Sequence, residues 1–154
     1  MRASLTLETE IGPLTVTEAD GAIAAIDWGA RAINPRRTPL LNEAARQIEA
    51  YLAGRLTQFE LPVAPGGSEF QRRVFEAMRA IPYGRVMSYG DLARVTGSAP
   101  RAVGGACGAN RVAILVPCHR VVASGRRLGG YGGPGGLSTK RYLLGLEGAL
   151  KGLR

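Results

Sequence analysis

The hydrophobic period of the sequence changes once, and the change falls at a stretch that regular structure cannot cross. Residues 56–67 contain Pro62, Pro65, Gly66 and Gly67, residues that remove a backbone donor or favour unusual dihedrals and so punctuate a fold. Before this stretch the period is two. Leu5 and Leu7 alternate with Thr6 and Glu8, Leu14 and Val16 alternate with Thr15 and Thr17, and residues 22–26 form an apolar run. Gly12-Pro13 and Asp20-Gly21 stand between the runs as turn signals, which predicts a three-strand meander. Residues 30–37 read as a loop. Thr38 then caps a helix with Pro39 at its first position, Leu41, Ala45, Ile48 and Leu52 fall at helical spacing, and Gly54 ends it.

After the break the period becomes helical. Ser68 and Gln71 form a capping box ahead of the stripe Phe70, Val74, Phe75, Met78 and Ile81, which Pro82-Tyr83-Gly84 stops. Val86-Met87 reads as a short strand. Ser88 and Asp91 cap a second helix through Leu92 and Val95, closed by Gly97, and Ser98-Ala99-Pro100 opens a third running to about Asn110. Two helices joined by a tight glycine turn outline a helix-turn-helix. Ile114-Leu115-Val116 and Val121-Val122 read as strands, residues 125–136 as a glycine-rich loop resembling a wing, and Ser138 as the cap of a last helix with Leu143, Leu144 and Leu146. The expected fold is therefore α/β (α+β). A small strand-rich N-terminal domain with one helix covers 1–65, and a mostly helical domain with a winged helix-turn-helix-like DNA-binding unit covers 66–154.

Charge separates the halves more sharply than structure does. Residues 1–77 hold eight Arg and no Lys against ten acids, whereas residues 78–154 hold twelve basic residues against Asp91 and Glu147 alone. Such a half-chain attracts polyanions through its field and through counterion release from phosphates. A solvated arginine surface in an arginine-favouring genome is the competing explanation, but it does not account for the near disappearance of acids. The third helix adds to the pattern. Ala102, Gly104, Gly105, Ala106, Gly108 and Ala109 make it intrinsically poor, since each glycine costs roughly 1 kcal/mol relative to alanine. Either another helix packs tightly on it, or its thin face approaches a groove with Arg101 as the one long cation. The basic setting favours the groove. No apolar stretch is long enough to span a bilayer, the first residues lack the apolar core of a secretory signal, and two cysteines cannot staple a secreted scaffold. A cytoplasmic protein is expected.

The chemistry concentrates at Pro117-Cys118-His119-Arg120. His119 is the only histidine and stands beside one of only two cysteines. An imidazole that accepts the thiol proton activates sulfur as a nucleophile, although adjacent side chains diverge and the proton then needs a bridging water. A buried structural cysteine with an incidental neighbour is the alternative. Glu147, on the last helix, either pairs at the surface with Arg141 or Lys151 or orients His119 as the acid of a Cys–His–acid relay. Asp91 has a capping role. Cys107, Cys118 and His119 supply at most three soft ligands, two of them adjacent, so no metal site is expected.

The run from Asn110 through Arg111-Val112-Ala113-Ile114-Leu115-Val116-Pro117-Cys118-His119-Arg120 to Val121 resembles the active-site signature of the O6-alkylguanine-DNA alkyltransferases. The likeness extends through Ile81-Pro82-Tyr83-Gly84, Ser88-Tyr89, Arg101-Ala102-Val103-Gly104-Gly105-Ala106 and Leu143-Leu144-Gly145-Leu146-Glu147-Gly148, while the first 65 residues match only in style. The resemblance implies a methylated-DNA–protein-cysteine methyltransferase acting once per molecule. It would be a monomer that needs no cofactor, binds double-stranded DNA carrying O6-alkylguanine and flips the damaged base out of the stack. O4-alkylthymine and the preferred alkyl size stay open.

By the family pattern Cys118 accepts the alkyl group, His119 takes its proton through a water, Glu147 orients His119, and Asn110 braces the turn before the cysteine. Tyr131 donates to O6. Tyr89 presses on the phosphate 3′ to the lesion, and Arg101, on the thin helix with Ala102 and Gly105, enters the stack. Cys107 and Gly132 line the pocket, and the carbonyls of Cys118 and Val121 read the exocyclic amine. Three departures stand out. Arg111 replaces a usual proline, Gly132-Gly133-Pro134-Gly135-Gly136 is longer than the usual pocket loop, and the N-terminal half has neither Cys nor His for the structural zinc of some relatives. The competing classes are a non-repairing lesion sensor or winged-helix regulator of the same fold, and a cysteine hydrolase.

Overall fold

The computed structural model of the protein describes residues 2–132 and 135–154. The chain forms two compact units, residues 1–65 with 111–115 and residues 66–110 with 116–154.

The first unit is built on the meander β1 (Arg2–Thr9), β2 (Gly12–Ala19) and β3 (Ala22–Trp28), antiparallel in the order β1-β2-β3. The turn at Asp20-Gly21 is the one the sequence marks. The first falls at Glu10-Ile11, two residues before the expected Gly12-Pro13, which open β2. Gly12 and Gly21 adopt φ of 109° and 81°, open to glycine without steric cost. Leu5 pairs with Val16 and Leu7 with Leu14, so one face is apolar. The other carries Ser4–Thr17 and Thr6–Thr15 hydroxyl pairs, each at 2.9 Å. Helix α1 (Pro39–Leu52) starts at Thr38, whose side chain accepts from Leu41 N, and buries Leu41, Ala45 and Ile48. Residues 111–115 join this unit through Val112, which bridges Ile26 in parallel, and through the Ile26 N–H donating to Arg111 O at 2.8 Å.

In the second unit α2 (Glu69–Arg79) has the expected capping box, with Ser68 and Gln71 serving each other's backbone. Strand β4 is Met87–Ser88, one residue later than expected, and Val86 lies outside it. Helix α3 (Tyr89–Thr96) has the Ser88–Asp91 box and ends on Gly97 in the left-handed region at φ 66°. Its Val95, expected on the apolar side with Leu92, is 67% exposed, while Leu92 and Ala93 face the core. Helix α4 (Pro100–Gly108) follows and packs on α3 to complete the helix-turn-helix.

Two expectations are corrected here. Residues 114–116 are not a strand. Ile114 turns into the left-handed region at φ 73°, and Leu115 N donates to Ala113 O at 2.8 Å, so the run coils into a turn. A buried β-branched residue rarely adopts that conformation. Strand β5 (Val121–Val122) does form and pairs in parallel with β4. Ser138 is not a cap: α5 (Leu137–Leu146) is entered from Gly136, and Ser138 lies inside it. The wing-like stretch consists of a bridge between Ala123 and Arg127 around a short 3-10 turn, followed by extended chain. Of the long pocket loop, Gly133 and Pro134 fall outside the described residues. Among the described residues no helix is long and apolar enough to cross a membrane.

Candidate active site

The site grows from the turn that follows α4. Asn110 stands just beyond the helix and donates from Nδ2 to Val116 O at 2.9 Å, closing the coil of residues 111–115. Val116 O also accepts from Cys118 N at 2.8 Å, and Arg120 N bonds Pro117 O at 2.9 Å as the chain tightens into a 3-10 turn, Cys118–Arg120. Successive residues of this turn point apart. Cys118 is half-buried, whereas His119 is fully enclosed.

Burial pushes the Cys118 thiol above its ordinary pKa, and a hydrogen bond from Asn110 and the charge of Lys140 offset this only in part. The adjacent His119 ring turns to Glu147 instead. The resting sulfur keeps its proton at neutral pH, and a nucleophilic role requires a base.

The neighbouring imidazole is paired with a carboxylate. His119 Nε2 lies 2.7 Å from Glu147 Oε2, with both side chains fully enclosed. Glu147 caps the end of α5, so the surface pairing with Arg141 or Lys151 does not form. Arg120 also donates to Glu147, with Nε 2.8 Å from Oε1 and Nη2 3.0 Å from Oε2. His119 Nδ1 is buried without a hydrogen-bond partner. Burial lowers the pKa of His119, Glu147 raises it, and Arg120 and Lys140 lower it, with a net shift downward that leaves the ring neutral.

The remaining expected residues fall into two groups. Tyr89 is half-buried at the start of α3, close enough to Gly129 that a Cβ there would stand 3.3 Å from its ring, and burial raises the pKa of its hydroxyl. Cys107 Sγ lies 3.6 Å from Met78 Sδ, and burial pushes its thiol to about 12. Val121 is buried, and Tyr131 and Gly132 lie after the wing, outside any helix or strand. Arg101, Ala102 and Gly105 instead occupy the exposed face of α4, outside the buried network. Nothing stands within 4 Å of where a Cβ would sit on Gly104, Gly105 or Gly108, so close helix packing does not explain these glycines. Among the described residues no cluster of three potential ligands could hold a metal.

Sequence reasoning missed two members. Arg120 is one. Lys140, fully buried, is the other: its Nζ donates to Val121 O at 2.7 Å, to Gly130 O at 3.0 Å and to Leu128 O. It ties β5 to the wing and brings a cation towards Cys118, and its own pKa falls to about 8 through burial. One signal was available. Only two of the chain's twenty basic residues are lysine, and a compact ammonium fits a cage of carbonyls that a planar guanidinium does not.

Two family models match. Residues 3–65 fit the one described as 6-O-methylguanine DNA methyltransferase, ribonuclease-like domain, and residues 69–149 fit its DNA binding domain. The chain is 43% identical over 150 residues to a methylated-DNA–protein-cysteine methyltransferase of Mycolicibacterium paratuberculosis, covering 92% of this chain and 90% of that one. It is 38% identical over 154 residues to the constitutive enzyme of that name from Bacillus subtilis, covering 92% and 93%. Among solved structures, Mycobacterium tuberculosis OGT in complex with DNA superposes with a TM-score of 0.84 at 38% identity, over 96% of this chain and 94% of that one. With family models matched over residues 3–65 and 69–149, and with relatives this similar over most of both chains, the chain belongs to the methylated-DNA–protein-cysteine methyltransferases.

Proposed function

We propose that the protein repairs duplex DNA by moving the alkyl group of O6-alkylguanine onto Cys118, once per molecule and as a monomer. The observation that carries this reading is the enclosed His119–Glu147 pair directly after a half-buried cysteine that needs a base. The thiol proton passes through a water to His119 Nδ1. Sulfur then attacks the alkyl carbon in line with O6, the S–C bond forms as the C–O6 bond breaks, and the electron pair leaves on O6. Tyr131 donates a hydrogen bond to that oxygen, and the proton gained by His119 balances the one guanine takes up at N1. A thioether has no leaving group that water can displace, so the sulfur is consumed.

The target carbon is out of reach inside the stack, which requires the base to be rotated out. The thin exposed face of α4, with Ala102 and Gly105, fits close approach to the minor groove. Arg101 fills the space left by the base, and Tyr89 presses on the phosphate 3′ to the lesion. Cys107 and Gly132 line the pocket. The carbonyls of Cys118 and Val121 read the exocyclic amine, and Val121 O keeps a lone pair for it beside Lys140, since a carbonyl oxygen has two. Asn110 holds the cysteine turn. The test is intact-protein and peptide mass spectrometry after mixing with an O6-methylguanine duplex. One methyl on the Cys118 peptide per molecule is expected, and none on Cys118→Ser. Repeated turnover, or equal labelling of the variant, would reject the proposal. The same assay with O4-methylthymine decides the second substrate.

A further inference from the structure

Arg120 has no part in the reaction as written above, yet it is among the most constrained side chains of the site. It grips both oxygens of Glu147, and its Nη1 donates to Ile81 O at 2.7 Å. The guanidinium lies over the ring of Tyr83, 5.8 Å from its centroid, and the Tyr83 hydroxyl donates to Leu146 O at 3.2 Å, one residue before Glu147. The arginine and its carboxylate are thus held from both sides.

A guanidinium offers only donors and does not lose its proton in proteins. Both oxygens of Glu147 therefore act as acceptors, and the carboxylate is ionised. Two acceptors cannot share a bond, so at 2.7 Å from Oε2 the Nε2 atom of His119 must carry a hydrogen. In the neutral ring the lone pair then resides on Nδ1, the atom buried without a partner. We infer that Arg120 is a positioning residue: by fixing Glu147 as a twofold acceptor it locks His119 in the tautomer whose Nδ1 receives the Cys118 proton. The inference rests on the reading of Cys118 as the alkyl acceptor. The groups facing His119 are Glu147 and Lys140 from α5 and its near end, and Arg120 from its own turn; burial first, and then the two cations, outweigh the carboxylate, so the ring enters the reaction as a base.

His119 is the only histidine in the chain, so isotopic nitrogen labelling of histidine gives one imidazole to assign by NMR. The wild-type ring should carry its hydrogen on Nε2. In Arg120→Met that preference is lost, and methyl transfer to Cys118 slows by roughly tenfold or more, with duplex affinity unchanged. Arg120→Lys keeps the charge without the two-oxygen grip and recovers part of the rate. A wild-type ring protonated on Nδ1 overturns the inference, as does an Arg120→Met protein with unchanged tautomer and rate. If Arg120→Met does not fold, the wild-type spectrum and Arg120→Lys decide. A wild type with the Nε2 tautomer that takes no methyl would instead remove the reading of Cys118 and leave the tautomer result standing.

Discussion

Cys107 and Cys118 meet different surroundings in the same unit. Cys107 is half-buried against Met78, and burial pushes its thiol to about 12. A thiol pKa raised on folding stabilises the fold fully below the unfolded value, near 8.5, and that contribution is lost as pH rises through about 12. The unfolded chain ionises first, so each rise in pH through this window favours it. Cys107→Ala should therefore cost about 1–2 kcal/mol near neutral pH, from lost packing, and progressively less above pH ~9. Urea melts of both proteins at several pH values measure the gap, and a constant gap would show that the sulfur does not stay protonated in the fold. At this scale the sequence was informative about chemistry and silent about orientation. The adjacency of Cys118 and His119 marks the site, but that the imidazole turns away from the sulfur towards Glu147 depends on a contact twenty-eight positions distant.

The elements were legible wherever a local signal decides them. Thr38, Ser68 and Ser88 cap helices as their spacing predicts, because a cap is settled within three residues. Residues 114–116 were not legible. Their composition favours a strand, and the left-handed turn at Ile114 is held by Asn110 at one end and by packing on β3 at the other. Helix α4 gives the prediction at this scale. Its glycines weaken the helix and meet nothing in the fold, so Gly104→Ala and Gly105→Ala should each raise stability by ~0.5–1 kcal/mol. Gly105→Leu should also fold, yet bind duplex DNA more weakly because its side chain projects from the exposed face. Chemical denaturation and duplex titration separate the two effects. A fall in stability on Gly105→Ala would mean that the backbone itself needs the glycine.

Over the whole molecule the dominant quantity is charge. Acids are nearly absent after Glu76, and the two that remain are committed: Asp91 to a helix start and Glu147 to His119 and Arg120. The basic field is therefore left largely uncompensated for a polyanion. Duplex affinity should fall linearly in log–log terms as salt is raised, with a slope set by the phosphates neutralised. A titration in increasing salt measures it, and an affinity indifferent to salt would deny the phosphate contacts. The charge split was readable from composition, and so was the change of period near residue 65. What composition could not show is the path of the backbone between them. Residues 111–115, shortly ahead of Cys118, complete the unit built by the first 65 residues. Splitting the gene at its obvious seam would leave Val112, Ile114 and Leu115 wet and the cysteine dangling from an unsupported stalk. On the proposed role of Cys118, the first 65 residues then serve repair by completing the segment that leads into the cysteine, although they supply none of the proposed reacting atoms.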